Sequence, residues 1–236
     1  MIRSSAFHGL ALASLLALAG CASGPTADPR DPLEPFNRSV YEFNEGVDRV
    51  VLKPVATAYV DVTPRPVRTG VSNFFGNLRD AWSAVNAVLQ ARPREAAENG
   101  MRFAVNSTFG LAGVLDVASE MGLERTTLDF GLTLGRWGVP EGPYLMLPLL
   151  GPSSLRDTAA LTVDGQGDAL AAVGHVPTRN EMSALRLVDR RAGLLPVGEM
   201  LEEAALDRYS FVRDSYLQRR QSQTGGRPPE ERYDLE

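Results

Sequence analysis

The sequence predicts an all-α fold in a single domain. Apolar residues recur at spacings of three and four through most of the chain, capping residues and prolines precede those runs, and no segment makes a convincing strand. A chain of 236 residues is long enough to bury one substantial core, and no long linker interrupts its middle. Only residues 22–30 and 221–236 have the polar, core-free composition of tails.

The first helix opens at Asp31-Pro32-Leu33-Glu34, where Asp can cap, Pro suits the first helical position and Glu completes a capping box. Phe36, Val40, Phe43, Val47, Val50 and Val51 then form one apolar stripe until Lys53-Pro54 stops the run. Thr63-Pro64 opens a second helix with Val67, Val71, Phe74 and Leu78 on one face. Asp80 has the place of a cap for a third helix carrying Trp82, Val85 and Leu89, and Pro93 starts a fourth. In that fourth helix Ala96, Gly100 and Ala104 make a small-residue stripe, read as tight helix packing.

From Gly110 to Pro152 the chain is punctuated by eight glycines and four prolines. No charge occurs between Gly142 and Leu155, and Tyr144 to Leu150 is nearly all apolar. Seven residues cannot cross a bilayer and prolines disfavour a central strand, so this is an apolar loop or short re-entrant element in need of a dry partner. Helical periodicity then resumes. Ser153 or Ser154 caps a segment through Val163, Thr178 with Glu181 makes a capping box before Leu185, Val188 and Leu195, and Tyr209, Val212 and Tyr216 mark a last helix.

The N-terminus has the layout of a secretory signal: Arg3, then an apolar segment from Leu10 to Leu18, too short for the roughly 20 residues of a membrane-spanning helix. Leu18-Ala19-Gly20-Cys21 resembles the bacterial lipobox, which implies removal of residues 1–20 and acylation of Cys21. Ala22, which is not Asp, implies an outer-membrane address. Cys21 is the single cysteine, so once acylated it leaves no thiol for disulfides, catalysis or metal. Losing the +1 of Arg3 takes the formal charge from -5 to -6, and the interspersed charges argue against nucleic acid. After the signal no run of 18 apolar residues exists, so membrane contact is lateral or through lipid.

Catalytic chemistry is unsupported. His175 is the one histidine of the mature chain, too few for a histidine-based metal cluster, and no Gly-x-Ser-x-Gly elbow or phosphate-binding Gly-Lys-Ser/Thr loop occurs. Asp164-Gly165-Gln166-Gly167-Asp168 starts like a calcium loop but has Ala169 at the sixth position and His175 at the twelfth, so it is a turn with solvated carboxylates. No enzyme activity, cofactor or metal is expected. A lipolytic enzyme would have to recruit His175, and a structural lipoprotein without transport is the other rival.

Several stretches, taken in order, resemble the VacJ/MlaA family of outer-membrane lipoproteins. They begin with Asp31-Pro32-Leu33-Glu34-Pro35-Phe36-Asn37-Arg38, Phe43-Asn44, Lys53-Pro54-Val55-Ala56 and Val71-Ser72-Asn73-Phe74. Arg102-Phe103, Asn106-Ser107, Asp116-Val117-Ala118 and Phe130-Gly131 follow. The most distinctive are Trp137-Gly138-Val139, Gly142-Pro143-Tyr144, Leu147-Pro148, Gly151-Pro152 and Leu155-Arg156-Asp157. The resemblance runs from Cys21 to about Arg220 and weakens between Gly165 and Glu203.

The resemblance implies a helical ring, residues 31–220, lying flat in the inner leaflet of the outer membrane around a central amphipathic channel, preceded by a lipidated linker at 21–30 and followed by a disordered tail at 221–236. It further implies extraction of mislocalised phospholipid from the outer leaflet, hand-over to a soluble periplasmic lipid carrier, and association with a trimeric porin. By the same resemblance Gly135, Gly138 and Gly142 form a hinge beside the channel. Trp137, Tyr144, Leu145, Leu147, Leu149 and Leu150 belong to the channel and its lipid-facing wall. Arg156 is either a headgroup contact or, with Asp157, a structural ion pair. Asn37-Arg38 and Phe43-Asn44 are read as packing and capping groups.

Overall fold

The computed structural model describes residues 28–198 and 207–225; the signal, Cys21 and most of the C-terminal tail lie outside them. The fold is helical, as expected, with one small β-hairpin. Its elements are α1 (Glu34–Val47), α2 (Lys53–Val62), α3 (Arg65–Leu89), α4 (Pro93–Phe109), α5 (Val117–Glu120) and α6 (Phe130–Arg136), then β1 (Tyr144–Leu147) and β2 (Gly151–Ser154), then α7 (Leu155–Gly167), α8 (Val176–Gly193) and α9 (Arg208–Thr224). Contacts close into a circuit: α1 leads to α2, α2 packs on α8, α8 on α3, α3 on α6, α6 on α7, α7 on β1, and β1 on α1. Among the described residues no helix is long and apolar enough to cross a membrane.

Several local expectations are corrected. Lys53-Pro54 does not stop the first helix, because a π-turn over Asp48–Leu52 joins α1 to α2, with the Lys53 amide donating to the Asp48 carbonyl. The wider turn accommodates a proline ring that an α-turn would push against the preceding carbonyl. Asp31 is not the cap of α1; Leu33 holds that position, and the Asp31 carboxylate is spent on tertiary contacts. Asp80 caps nothing, since α3 runs unbroken from Arg65 to Leu89 with Asp80 buried inside it. His175, not Thr178, caps α8, its ring accepting from the Thr178 amide. Gly100 faces open space, so the small-residue stripe does not carry a close helix contact there. Ser154 caps α7.

The Tyr144–Leu150 segment is not a loop. Tyr144 to Leu147 pairs antiparallel with Gly151 to Ser154, opposing Tyr144 to Ser154 and Leu147 to Gly151. Pro152 sits on the outer strand β2 of this two-stranded sheet, where a missing amide donor is tolerated. The Asp164–Asp168 turn is also corrected: Asp164 lies within α7, where it accepts from the Trp82 indole and the Phe130 amide, both at 2.8 Å.

Two apolar clusters anchor the circuit. Tyr144 and Met146 of β1 pack with Tyr209, Tyr216 and Leu217 of α9, and Ala87 packs with Leu128 and Leu132. The Tyr144 ring meets Tyr209 and Tyr216 edge-on at 6.2 and 6.1 Å between centroids, the geometry favoured by the ring quadrupoles.

Candidate functional site: apolar exterior and polar interior

The apolar stripe of α1 faces outward. Phe36, Phe43 and Val50, seven residues apart in turn, are 56%, 53% and 74% exposed. Val62, Val67, Val88, Met101 and Phe109 continue this exposed apolar surface along α2, α3 and α4. Scattered apolar residues on a surface are ordinary, but so many large side chains left open on successive helices mark a surface that meets something other than water.

The interior is correspondingly polar. Asn37, Asn77, Asp80, Asn86, Asn99, Arg102 and Asn106 are all buried. Such groups are tolerated when hydrogen-bonded: the asparagines pair mainly with backbone, hydroxyl and carboxylate groups, and three arginines organise the buried charges. Arg102 reaches Asp80 at 3.3 Å, Asp116 at 2.8 Å and the Leu123 carbonyl at 2.6 Å. Arg220 joins α9 to α7 and α6 through Asp157 and Asp129, both at 2.6 Å. Arg213 lies 3.4 Å from Asp31, which also accepts from the Tyr209 hydroxyl and from Asn37. Gly131 makes room for the Arg220 network, since a Cβ there would sit 2.4 Å from Asp157 Oδ1.

These networks set the charge states. Burial is the largest influence on Asp157 and pushes its carboxyl up, yet the hydrogen bond and charge of Arg220, with Tyr216 and Arg156, hold it below the ordinary value. Asp116 is likewise raised by burial, but hydrogen bonds from Ser119, Asn106 and Arg102 bring it down to about 2. Burial dominates for Asp80, whose carboxyl is raised despite Arg125 and Arg102.

The residues expected at the channel and hinge are divided by the structure. Leu149 and Leu150, at the hairpin tip, are 61% and 72% exposed, and Trp137 is exposed with its indole donating to the Leu89 carbonyl at 2.9 Å. Leu145 and Leu147 are half-buried. Tyr144 is a correction: it is fully buried in the aromatic cluster and faces no lipid, because alternation along β1 turns Tyr144 and Met146 inward. For Arg156 the structure favours the ion-pair alternative over the headgroup contact: it is 7% exposed and pairs with Asp157 at 2.9 Å.

Gly138 terminates α6. Its amide donates to the Gly135 carbonyl and the Val139 amide to the Leu134 carbonyl, the paired bonds of a Schellman cap, with φ of +91° at Gly138. Gly142, with φ of +71°, packs against Leu155, and a Cβ at Gly135 would press on Thr224 and Arg156. His175 is engaged through Nδ1 with Thr178, at 2.8 Å from its hydroxyl. Among the described residues no group of three metal-ligating side chains is present.

The buried arginine networks were not singled out from the sequence, because their partners lie 14 to 182 residues away. What the sequence does carry is Asn and Asp within otherwise apolar helical patterns.

The MlaA lipoprotein family model matches residues 29–223. The Escherichia coli K12 intermembrane phospholipid transport system lipoprotein MlaA is 40% identical over 216 residues, spanning 89% of this chain and 85% of the relative. The Haemophilus influenzae protein of the same name is 32% identical over 225 residues, spanning 88% and 86%. A solved structure from work on the structural basis for maintenance of bacterial outer membrane lipid asymmetry superposes with a TM-score of 0.72 at 36% identity. It covers 82% of this chain and 98% of its own. By family model, sequence and fold together, the chain belongs to the MlaA lipoprotein family.

Proposed function

We propose that this protein is an outer-membrane lipoprotein that removes mislocalised phospholipid from the outer leaflet and maintains lipid asymmetry. It lies in the inner leaflet, anchored from the periplasmic side through Cys21, and works with a trimeric porin and a soluble periplasmic lipid carrier. The observation that carries this reading is the inverted arrangement of side chains: outward Phe36, Phe43 and Val50, inward Asp80, Arg102 and Asp157. Apolar side chains stabilise a body immersed in acyl chains, and buried charges tie its helices together where the hydrophobic effect does not.

The circuit of helix contacts supports a ring, and membership of the MlaA family supports both partners. A shielded path has a physical use without bond chemistry, since exposing roughly 30 acyl methylenes to water costs on the order of 24 kcal/mol at ~0.8 kcal/mol each. The protein therefore acts by lowering a transfer barrier and leaves phospholipid covalently intact.

The test is complementation of a Gram-negative strain lacking its own MlaA. Surface labelling of aminophospholipid in intact cells should fall to the level of the parent strain when the chain is expressed. Labelling that stays high despite correct outer-membrane fractionation overturns the transport reading. Release of fatty acid or lysolipid by the purified protein, lost in His175→Ala, would overturn the non-enzymatic one. The anchor is tested by Cys21→Ser, which should lose outer-membrane placement, because stable anchoring takes more than one acyl chain.

A further inference from the structure

Tyr41, Glu42, Glu45 and Gly46 of α1, Arg49 of the π-turn and Arg208 at the start of α9 line a groove of about 340 Å³, within the roughly 300–1,000 Å³ of ordinary ligand pockets. Residues spaced by three and four lie on one side of a helix, so the five residues from Tyr41 to Arg49 make one continuous wall. The other wall is held in place by two contacts. Arg38 pairs with Asp207 at 2.6 Å, and the Tyr41 ring meets Tyr209 edge-on at 5.8 Å between centroids.

The groove holds two carboxylates and two guanidinium groups, and none of the four is spent. Glu42, Glu45, Arg49 and Arg208 make no side-chain hydrogen bond or ion pair among the described residues. The charges around them are taken: Glu34 and Asp207 by Arg38, and Asp48 by Arg191. Glu42 and Arg49 are exposed, while Tyr41, Glu45 and Arg208 are half-buried. The apolar stripe of α1 borders the groove. Gly46 stands three residues after Phe43 and four before Val50, both exposed, and a Cβ at Gly46 would meet nothing within 4 Å.

We propose that this groove binds a phospholipid headgroup carrying both a phosphate and a primary ammonium, with the phosphate on Arg49 and Arg208 and the ammonium on Glu42 and Glu45. Guanidinium groups match phosphate oxygens in geometry and charge, and a primary ammonium has three donors for carboxylate oxygens. A quaternary ammonium donates nothing, and an anionic headgroup leaves both carboxylates unpaired beside a like charge. The equal count of acidic and basic groups therefore matches a ligand of zero net charge. Phe43 and Val50 offer apolar surface along which its acyl chains continue. The inference rests on the reading that this chain handles phospholipid and names the headgroup.

The test is calorimetric titration of the full chain in detergent with short-chain phosphatidylethanolamine, phosphatidylcholine and phosphatidylglycerol, and with water-soluble glycerophosphoethanolamine. Phosphatidylethanolamine should bind at least about fivefold more tightly than each of the others, the scale of one hydrogen bond in a half-exposed groove. Glu42→Gln combined with Glu45→Gln should erase the preference over phosphatidylglycerol, whereas Arg49→Gln combined with Arg208→Gln should weaken both lipids alike. A merely structural role for these residues would not split the two lipids in this way. If Arg208→Gln unfolds, Arg49→Gln alone carries that arm. A folded Glu42→Gln, Glu45→Gln protein that keeps the full preference overturns the site, as does unmodified protein that binds no phosphatidylethanolamine. Phosphatidylcholine binding as tightly overturns the primary ammonium, and glycerophosphoethanolamine binding as tightly overturns the lipid as its source. Failure of the unmodified chain to restore lipid asymmetry in cells counts against the transport reading alone, because the titration does not depend on it.

Discussion

Asn37 and Asn44, seven residues apart on α1, each clasp the hairpin backbone with both ends of the side-chain amide, Asn37 at the free edge of β1 and Asn44 at the turn that follows it. Asn37 donates to the Tyr144 carbonyl at 3.1 Å and accepts from the Met146 amide at 2.9 Å. Asn44 donates to the Leu147 carbonyl at 2.9 Å and accepts from the Leu149 amide at 2.8 Å. Two turns of helix rise about 10.5 Å and three residues of strand about 10 Å, so the spacings match. Asn37 acts on β1 as a neighbouring strand would, satisfying an edge that is otherwise a liability, and Asn44 satisfies the turn beyond it.

Replacing Asn37 should therefore cost more than its size suggests. Asn37→Leu leaves the buried Met146 amide and Tyr144 carbonyl unpaired, along with one Asp31 oxygen, at about 1–3 kcal/mol for each buried group abandoned. Asn44 is only part-buried, so Asn44→Leu should cost less. Chemical unfolding in detergent of the two variants gives the order; equal losses would count against the strand-mimic account.

Arg102 offers a second test. Its removal strands Asp80 in the interior with Arg125 as its remaining cation, and breaking a buried pair by deleting one partner costs about 3–5 kcal/mol. Arg102→Met should lower the unfolding midpoint strongly, whereas Arg102→Met combined with Asp80→Leu should recover part of the loss. A double variant as unstable as the single one would show that the pairing is not the reason.

Acid should weaken the α4–α5 junction over a defined range. Asp116 falls from the ordinary 3.8 to about 2 in the folded chain, so its ionised form stabilises the fold fully above pH ~4, and the stabilisation disappears as pH drops toward 2. The shift corresponds to on the order of 2 kcal/mol. Asp80 has the opposite sign, because its raised carboxyl binds a proton more readily when folded and its contribution grows as pH falls through that raised value. Unfolding of Asp116→Asn against the unmodified chain from pH 7 to 2 should show a gap that narrows below pH 4. A constant gap would sink the assignment.

The helices were legible in the sequence because their signals are local. Pro93 starts α4 and Ser154 caps α7, each decided by a few neighbouring residues. The direction of the stripes was not legible, since the spacing of Phe36, Phe43 and Val50 defines a face without saying what covers it. The hairpin was missed because β1 is completed by asparagines 103 to 109 residues away, which no strand periodicity records. Asp80 looked like a cap because Asp favours helix starts, and only tertiary pairing with Arg102 and Arg125 accounts for it in mid-helix. Tyr144 was misplaced for the same reason: composition marks the segment as apolar and charge-poor but does not say which residues turn inward.

The hairpin tip should matter in a membrane more than in solution. Leu150 is exposed, so Leu150→Asp should change stability in detergent by less than about 0.5 kcal/mol. Burying a leucine is worth about 1.5–3 kcal/mol, so vesicle flotation of the unanchored Cys21→Ser chain should show affinity falling by roughly tenfold or more with Leu150→Asp added. Unchanged flotation would remove the tip from the membrane-facing surface.

Gly138 separates a hinge from a plain helix stop. A Cβ at Gly138 meets nothing within 4 Å, so Gly138→Arg has room, and its cost is that of forcing a side chain into φ of +91°, about 1–2 kcal/mol. Gly138→Ala bears the same backbone strain without the bulk or charge. If Gly138 only ends α6, the two variants should lose similar stability and leave lipid asymmetry equally intact. If the turn from Gly138 to Gly142 moves beside a lipid path, both variants remain folded but Gly138→Arg alone disturbs outer-leaflet phospholipid. We expect the second outcome, because the exposed Trp137 and Val139 flank Gly138 and give this turn an apolar surface. Thermal unfolding measured together with surface phospholipid labelling decides it, and normal labelling in a stable, correctly located Gly138→Arg protein would reduce the glycine to a cap.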